Sequence, residues 1–127
     1  VRPESEDWQV MRELEARLKS DRTKLTAKEL ATVRRAAAQV GFQEHEVRQV
    51  LAIESGQAEL IVEIRHRIRE GSQRLMRAFT QSQQLLDQGN ATRAGEVLQS
   101  ALEHEQIPFY RETIEAEMRN LGLAVQG

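Results

Sequence analysis

The chain contains no cysteine. A disulfide framework is therefore excluded, and so are thiolate nucleophiles and cysteine-ligated zinc or iron–sulfur centres. Aromatic residues are scarce, at 4% of the sequence, and only two prolines interrupt the backbone. No apolar run approaches the roughly eighteen residues needed to span a bilayer. The opening "VRPESEDW" has no signal-peptide core, and a cytoplasmic chain is expected. Strand-like alternation is missing too. An excess of either charge is also lacking: 18 basic residues stand against 20 acidic ones, which gives no bulk attraction to nucleic acid or anionic membrane.

What remains is rich in Ala, Leu, Glu, Gln and Arg, the composition of helices. Leu, Ile, Val and Phe make up 31 of 127 residues, above the level that marks intrinsic disorder. The reading is an all-α, five- or six-helix bundle with one long central helix and a C-terminal helical hairpin. It is one helical domain over 1–127, with a three-helix subassembly at 1–54 and the long helix plus hairpin at 55–121.

Punctuation along the chain supports this. A first helix is expected from about Ser5, as N-cap, to Ser20, with Trp8, Met11, Leu14 and Leu18 on one face. "LTAKEL" carries a capping box, Thr26 with Glu29, between the hydrophobic staple residues Leu25 and Leu30. The apolar face of that second helix is Leu30, Val33, Ala37 and Val40, and Gly41 stands at a left-handed C-terminal cap. A short third helix carries Val47, Val50 and Leu51. The fourth has no obligatory stop from about Gly56 to Gln88, a span of about 45 Å, although Gly71 could kink it. Gly89 and Asn90 supply a stop and the next N-cap. Ala94, Val97, Leu98, Ala101 and Leu102 then define a fifth helical face. Pro108 opens a sixth helix with Tyr110, Ile114, Met118 and Leu121 inward. The tail "GLAVQG" is expected to fray.

The stretch "EIRHRIREGSQRLMRAF" holds five arginines and a histidine and invites a nucleic-acid reading. A helical wheel argues otherwise. Leu60, Ile61, Ile64, Ile68, Gly71, Leu75, Ala78, Phe79, Ser82 and Leu86 share a sector roughly 100° wide, the buried stripe. Arg67, Arg74 and Arg77 lie opposite with Glu59, Glu63 and Glu70, where Glu63–Arg67 and Glu70–Arg74 form i,i+4 pairs. Only Arg65 and Arg69 lack an acid on their own flank. The strip reads as a solvated helix face.

Other constellations point the same way. "VRRAAAQVGFQEHEVRQVL" has helix-turn-helix spacing, but a recognition helix beginning near Gln43 would present Glu44, His45 and Glu46 to phosphates. An ordinary helical hairpin is the expectation. Glu63 and His66 have the E-x-x-H spacing of di-iron bundles, yet face away from the apolar sector and lack a second such pair. Neither "EHE", around His45 or His104, chelates well from adjacent helical positions, so no metal and no cofactor is expected. No nucleophile elbow, phosphate-cradling glycine loop or catalytic triad is evident. The carboxylates lie on polar faces with ordinary acidities, so the chain reads as no enzyme; a small enzyme of unfamiliar type would need a concave pocket of converging polar groups. The small-residue seam Gly71, Ala78 and Ser82 would admit a close helix, most simply the chain's own fifth or sixth. "IPFYRE" gathers Ile107, Phe109 and Tyr110 at a helix start, either as core anchors or as a protein interface.

"LLDQGNATRAGEVLQSALEHEQIPFYRE" resembles the helix–turn–helix cadence of one tetratricopeptide unit, read here as a hairpin because solenoids need about three repeats. Over nearly the whole chain, the "ExDW" start, the capped middle helix, "EIRHRIREGSQRL" and "IPFYRETIE" resemble the DUSAM domain, a small helical family of myxobacteria. That resemblance implies no activity and no catalytic residue. The functional expectation is a non-enzymatic protein–protein interaction or regulatory adaptor module, partnering another protein or itself as a homodimer, using Ile107–Tyr110 and the exposed flank of the fourth helix. The alternative is a nucleic-acid-binding domain whose basic face gathers Arg34, Arg35, Arg48, Arg65 and Arg69. Membrane and metal partners are not expected.

Overall fold

The computed structural model describes residues 3–20 and 24–123. Among them are six helices and no strand: α1 (Pro3–Ser20), α2 (Ala27–Gln39), α3 (Glu44–Leu51), α4 (Glu54–Asp87), α5 (Ala91–His104) and α6 (Pro108–Asn120). The protein is all-α. No helix among the described residues is long and apolar enough to cross a membrane. Ser5 is not a cap, because α1 already begins at Pro3. Two compact units meet inside α4, between Ile68 and Arg69. The first part of α4 belongs to the N-terminal unit because Leu60, Ile61 and Ile64 bury there, alongside Met11, Leu14, Val33, Ala36, Ala37, Val40 and Val47.

In the N-terminal unit the polar frame is built on Glu29. The capping box forms: Thr26 Oγ1 accepts from Glu29 N at 3.1 Å, and Glu29 Oε1 accepts from Thr26 N at 2.9 Å. The same carboxylate takes two bonds from the Arg17 guanidinium, at 2.7 and 2.9 Å, which ties α1 to α2. Those bonds, chiefly from Arg17 and then from the Thr26 backbone, hold the Glu29 carboxyl down at about 2 from its ordinary 4.5. It is thus not one of the ordinary solvated acids the sequence suggested. At the other end of α2 the chain leaves through Gly41, at φ +94°. Gly41 N donates to Ala38 O and Phe42 N to Ala37 O, the paired bonds of a Schellman turn.

The C-terminal unit packs the second part of α4 against the α5–α6 hairpin. Leu98, Leu102, Ile114 and Met118 form its fully buried centre, flanked by Leu75, Phe79, Ala101, Leu121 and Leu123. Each such side chain contributes about 1.5–3 kcal/mol by leaving water. Asn90 caps α5 by accepting from Arg93 N, and Pro108 opens α6. Leu123 does not fray: Leu123 N donates to Met118 O and Gly122 N to Arg119 O, which lays the leucine on the core cluster. Residues 124–127 of the expected fraying tail lie outside the described residues.

The small seam on α4 receives a neighbour from the same unit. A Cβ at Gly71 would stand 2.6 Å from Tyr110 Cδ2, and closer still to Cε2. The helix runs through Gly71 as part of one α-helical element, so this glycine serves as a notch for Tyr110. Beside it, Glu105 is 3% exposed in its side chain. Its carboxylate accepts from Arg74 Nε and Nη2 at 3.3 and 3.1 Å, and from Gln106 N and Ile107 N at 3.1 Å each. Arg111 Nη1 donates to Leu102 O and Glu105 O, closing the carbonyl end of α5. Arg74 therefore reaches across to the C-cap of α5, and the Glu70 charge one turn before it acts on the same guanidinium. Burial and the Glu105 charge push the Tyr110 hydroxyl up to about 12.

Three stability measurements follow from this packing. Gly71→Ala should gain about 1 kcal/mol in helix propensity yet lose overall by about 1–3 kcal/mol, because the methyl meets the Tyr110 ring. Tyr110→Leu in that background should recover part of the loss in a urea double-mutant cycle; additive effects would contradict the notch. Glu105→Ala should cost about 2–4 kcal/mol by stranding two backbone donors and a cation, more than Arg74→Ala, whose half-exposed guanidinium is screened by water. For Glu29, whose folded pKa is depressed, stabilisation is complete above about 4.5 and lost as pH falls toward 2. Glu29→Gln should thus cost about 1 kcal/mol near neutrality and almost nothing near pH 2; a pH-independent difference would refute the linkage.

Candidate functional site

Three of the five arginines named for a basic face come together, and they do so around an apolar floor. Between α2 and α3 lies a concavity of about 310 Å³ lined by Arg34, Arg35, Ala38, Phe42, Glu44, Val47 and Arg48. Its position follows from the chain's local rules. Arg34, Arg35 and Ala38 occupy neighbouring positions along α2, on the side away from the buried Val33, Ala36 and Ala37. The left-handed turn at Gly41 then reverses the chain and delivers Phe42. Two residues later α3 begins and places Val47 and Arg48 opposite.

Phe42 is held from one side. The Arg67 guanidinium stacks over its ring, 3.7 Å from the centroid. Arg67 Nη1 donates to Val40 O at 3.1 Å, and its Nε lies 3.5 Å from Glu63 Oε1. The Glu63–Arg67 pair expected from i,i+4 spacing is present, but Arg67 is no idle surface cation. It closes the carbonyl end of α2 and fixes the ring that floors the concavity.

The rim arginines differ in their engagement. Arg35 donates to Asp7 of α1 through Nε and Nη2 at 3.2 and 3.3 Å, and to Thr32 Oγ1 at 3.0 Å. Gln39 also donates to Asp7, so this carboxylate is shared by two α2 side chains. The hydrogen bonds to Asp7, and then its charge, raise the Arg35 pKa above its ordinary value. Arg48 meets Glu44 one turn earlier at 3.3 Å, with both side chains largely in water, an arrangement worth a few tenths of a kcal/mol. Arg34 is exposed and has no carboxylate partner among the described residues.

The remaining predicted residues lie elsewhere. Arg65 is in an ion pair with Glu15 at 3.3 Å, both side chains mostly buried, and acts as a tie between α1 and α4. Arg69 is exposed on α4 and does not line the concavity. The gathered positive face of five is thus reduced to three. Ile107 and Tyr110 are 3% and 4% exposed, which makes them core anchors; Phe109 is half-buried and meets Tyr110 edge-on with centroids 5.6 Å apart. Ala38, Phe42 and Val47 escaped sequence reasoning. The one available signal was an aromatic residue directly after a helix-terminating glycine, where a Schellman turn makes its hydrophobic contact.

Chemically, the site can bind anions more readily than it can transfer protons. Arginine keeps its proton at any workable pH, and Glu44 is exposed. No group of three or more His, Asp or Glu among the described residues could hold a metal ion.

No curated protein and no solved structure matches the sequence. A family model does, over residues 6–121, which include every residue of the concavity and run from Glu6 within α1 to just past the end of α6. The chain belongs to the family described as protein of unknown function (DUF2379).

Proposed function

We propose that this chain is a non-enzymatic protein-interaction module, acting through the α2–α3 concavity. The observation that carries the reading is the combination found there: permanent cations on the rim and Ala38, Phe42 and Val47 beneath them. Arginine and aromatic residues are the types enriched where proteins meet, and a concave apolar floor gives a partner side chain somewhere to go. This surface is preferred to the Ile107–Tyr110 patch, where Ile107 and Tyr110 are buried and Phe109 is half-buried. A regulatory adaptor of the cytoplasm fits the reading, as does the finer likeness to the myxobacterial DUSAM domain carried by "IREGS" and "PFYRE".

A second reading is favoured by one specific observation, that Arg34, Arg35 and Arg48 share a single face. A nucleic acid would use that face through phosphate contacts alone, and affinity would depend steeply on salt. Two of the three guanidiniums already meet carboxylates, and Glu44 stands on the rim. Those acids oppose a phosphate-tracking role.

The two readings separate in one experiment. The tagged chain, its Arg34→Glu variant and its Ala38→Glu variant are used for affinity capture from native lysate, each with and without nuclease. Recovery of the same proteins in both arms, reduced roughly tenfold by either substitution, is the expected result. Recovery that collapses under nuclease would make the basic face a nucleic-acid site and overturn the module reading.

A further inference from the structure

The identity of the occupant is written in the shape and charge of the concavity. Its volume of about 310 Å³ is at the small end of ligand-sized clefts, which run from roughly 300 to 1,000 Å³. That space takes one large side chain and is too small for the face of an entire helix. The floor is apolar and the rim basic, so the complementary object is an apolar side chain flanked by acids.

The chain itself displays the mode of recognition beside the site. Asp7, from α1, sets its carboxylate against Arg35 and Gln39 on α2 and is taken up by three hydrogen bonds. An acidic segment thus already uses one side of this arginine row. Arg34 and Arg48 remain for a second, external one: Arg34 carries no carboxylate among the described residues, and the exposed Arg48–Glu44 pair is cheap to exchange.

We infer that the α2–α3 concavity of this protein docks a short acidic segment of another protein, with one large apolar side chain seated on Phe42 and Ala38, above the buried Val47, and flanking carboxylates taken by Arg34 and Arg48. The inference rests on the proposed interaction module and names its partner's chemistry. Arg67 acts as a positioning residue, since it holds the Phe42 ring from the side away from the guest and lies outside the concavity's lining. Nucleic acid fits the same site less well. A phosphate backbone would engage the rim arginines but leave the apolar floor unfilled, and Glu44 would face it.

Fluorescence anisotropy on the full chain tests the assignment. The probe is a labelled peptide of glutamates flanking a single phenylalanine. Its controls are the same peptide with serine for phenylalanine, the same peptide with lysines for glutamates, and a single-stranded oligonucleotide of equal charge. Binding of the first probe should weaken roughly tenfold without its phenylalanine and vanish with reversed charge. Arg34→Glu and Ala38→Glu, both at exposed positions, should each weaken it by a similar factor while circular dichroism stays unchanged. Rising salt should weaken it further. Tighter binding of the oligonucleotide than of the peptide would overturn the inference. So would equal binding of the serine peptide, which would leave the rim without the floor. If no peptide binds while Arg34-dependent protein capture persists, the acidic occupant is wrong and the module stands. If protein capture fails as well, both fall together.

Discussion

A helix that stops leaves its last carbonyls without partners, and in this protein that constraint decides where the important side chains go. Gly41, Gly89 and Gly122 adopt φ of +94°, +77° and +71° just beyond the ends of α2, α4 and α6. In each case the glycine and the residue after it donate back into the last turn. The cap satisfies carbonyls, and it also aims the following residue. After Gly41 that residue is Phe42, delivered to the concavity. After Gly89 it is Asn90, which at once becomes the N-cap of α5. After Gly122 it is Leu123, returned onto the core cluster. An L-residue with a β-carbon at Gly41 would be strained there, and with it the placement of the Phe42 ring.

The charged residues follow a second logic, one that a single helix cannot reveal. Arg17 with Glu29, Arg35 with Asp7, Arg65 with Glu15 and Arg74 with Glu105 all join different elements. The acid is the more protected partner in every one of these pairs. Glu105 is the extreme case, at 3% exposure against 43% for Arg74. Burying a carboxylate costs several kcal/mol unless its lone pairs are filled, and here two backbone donors and a two-pronged guanidinium fill them. The Arg74 side chain, meanwhile, stays partly in water. A nearly balanced charge count is what such a design requires.

This explains what was legible in the sequence and what was not. Helix existence, the capping box at Thr26–Glu29, the Pro108 start and the α4 stripe from Leu60 to Leu86 could all be read, because each depends on residues within a turn or two of one another. Glu63–Arg67 was legible for the same reason. The partners of Arg65 and Arg74 were not, since Glu15 and Glu105 are brought near only by packing. The wheel set Arg74 away from the apolar stripe, yet its long side chain still reaches Glu105 just beyond the end of α5. Half of the site suffered likewise. Arg34, Arg35 and Arg48 were visible as cations, but the floor joins residues from α2, the turn and α3 that share no periodicity.

The same reasoning bears on why the site is basic at the rim when the protein as a whole is slightly acidic. Bulk charge governs long-range attraction to a polyanion, and here it gives none. Local charge acts within about a Debye length, roughly 8 Å in physiological salt, which is the scale of one concavity and not of a nucleic-acid track. On the proposed reading, a nearly neutral chain with a small basic, apolar-floored recess would favour an acidic peptide over a phosphate polymer. The carboxylates of Asp7 and Glu44 sharpen that choice. They lower the net positive charge that a polyphosphate would exploit, while leaving Arg34 able to meet a single carboxylate. Selectivity of this kind comes from what the rim withholds as much as from what it offers.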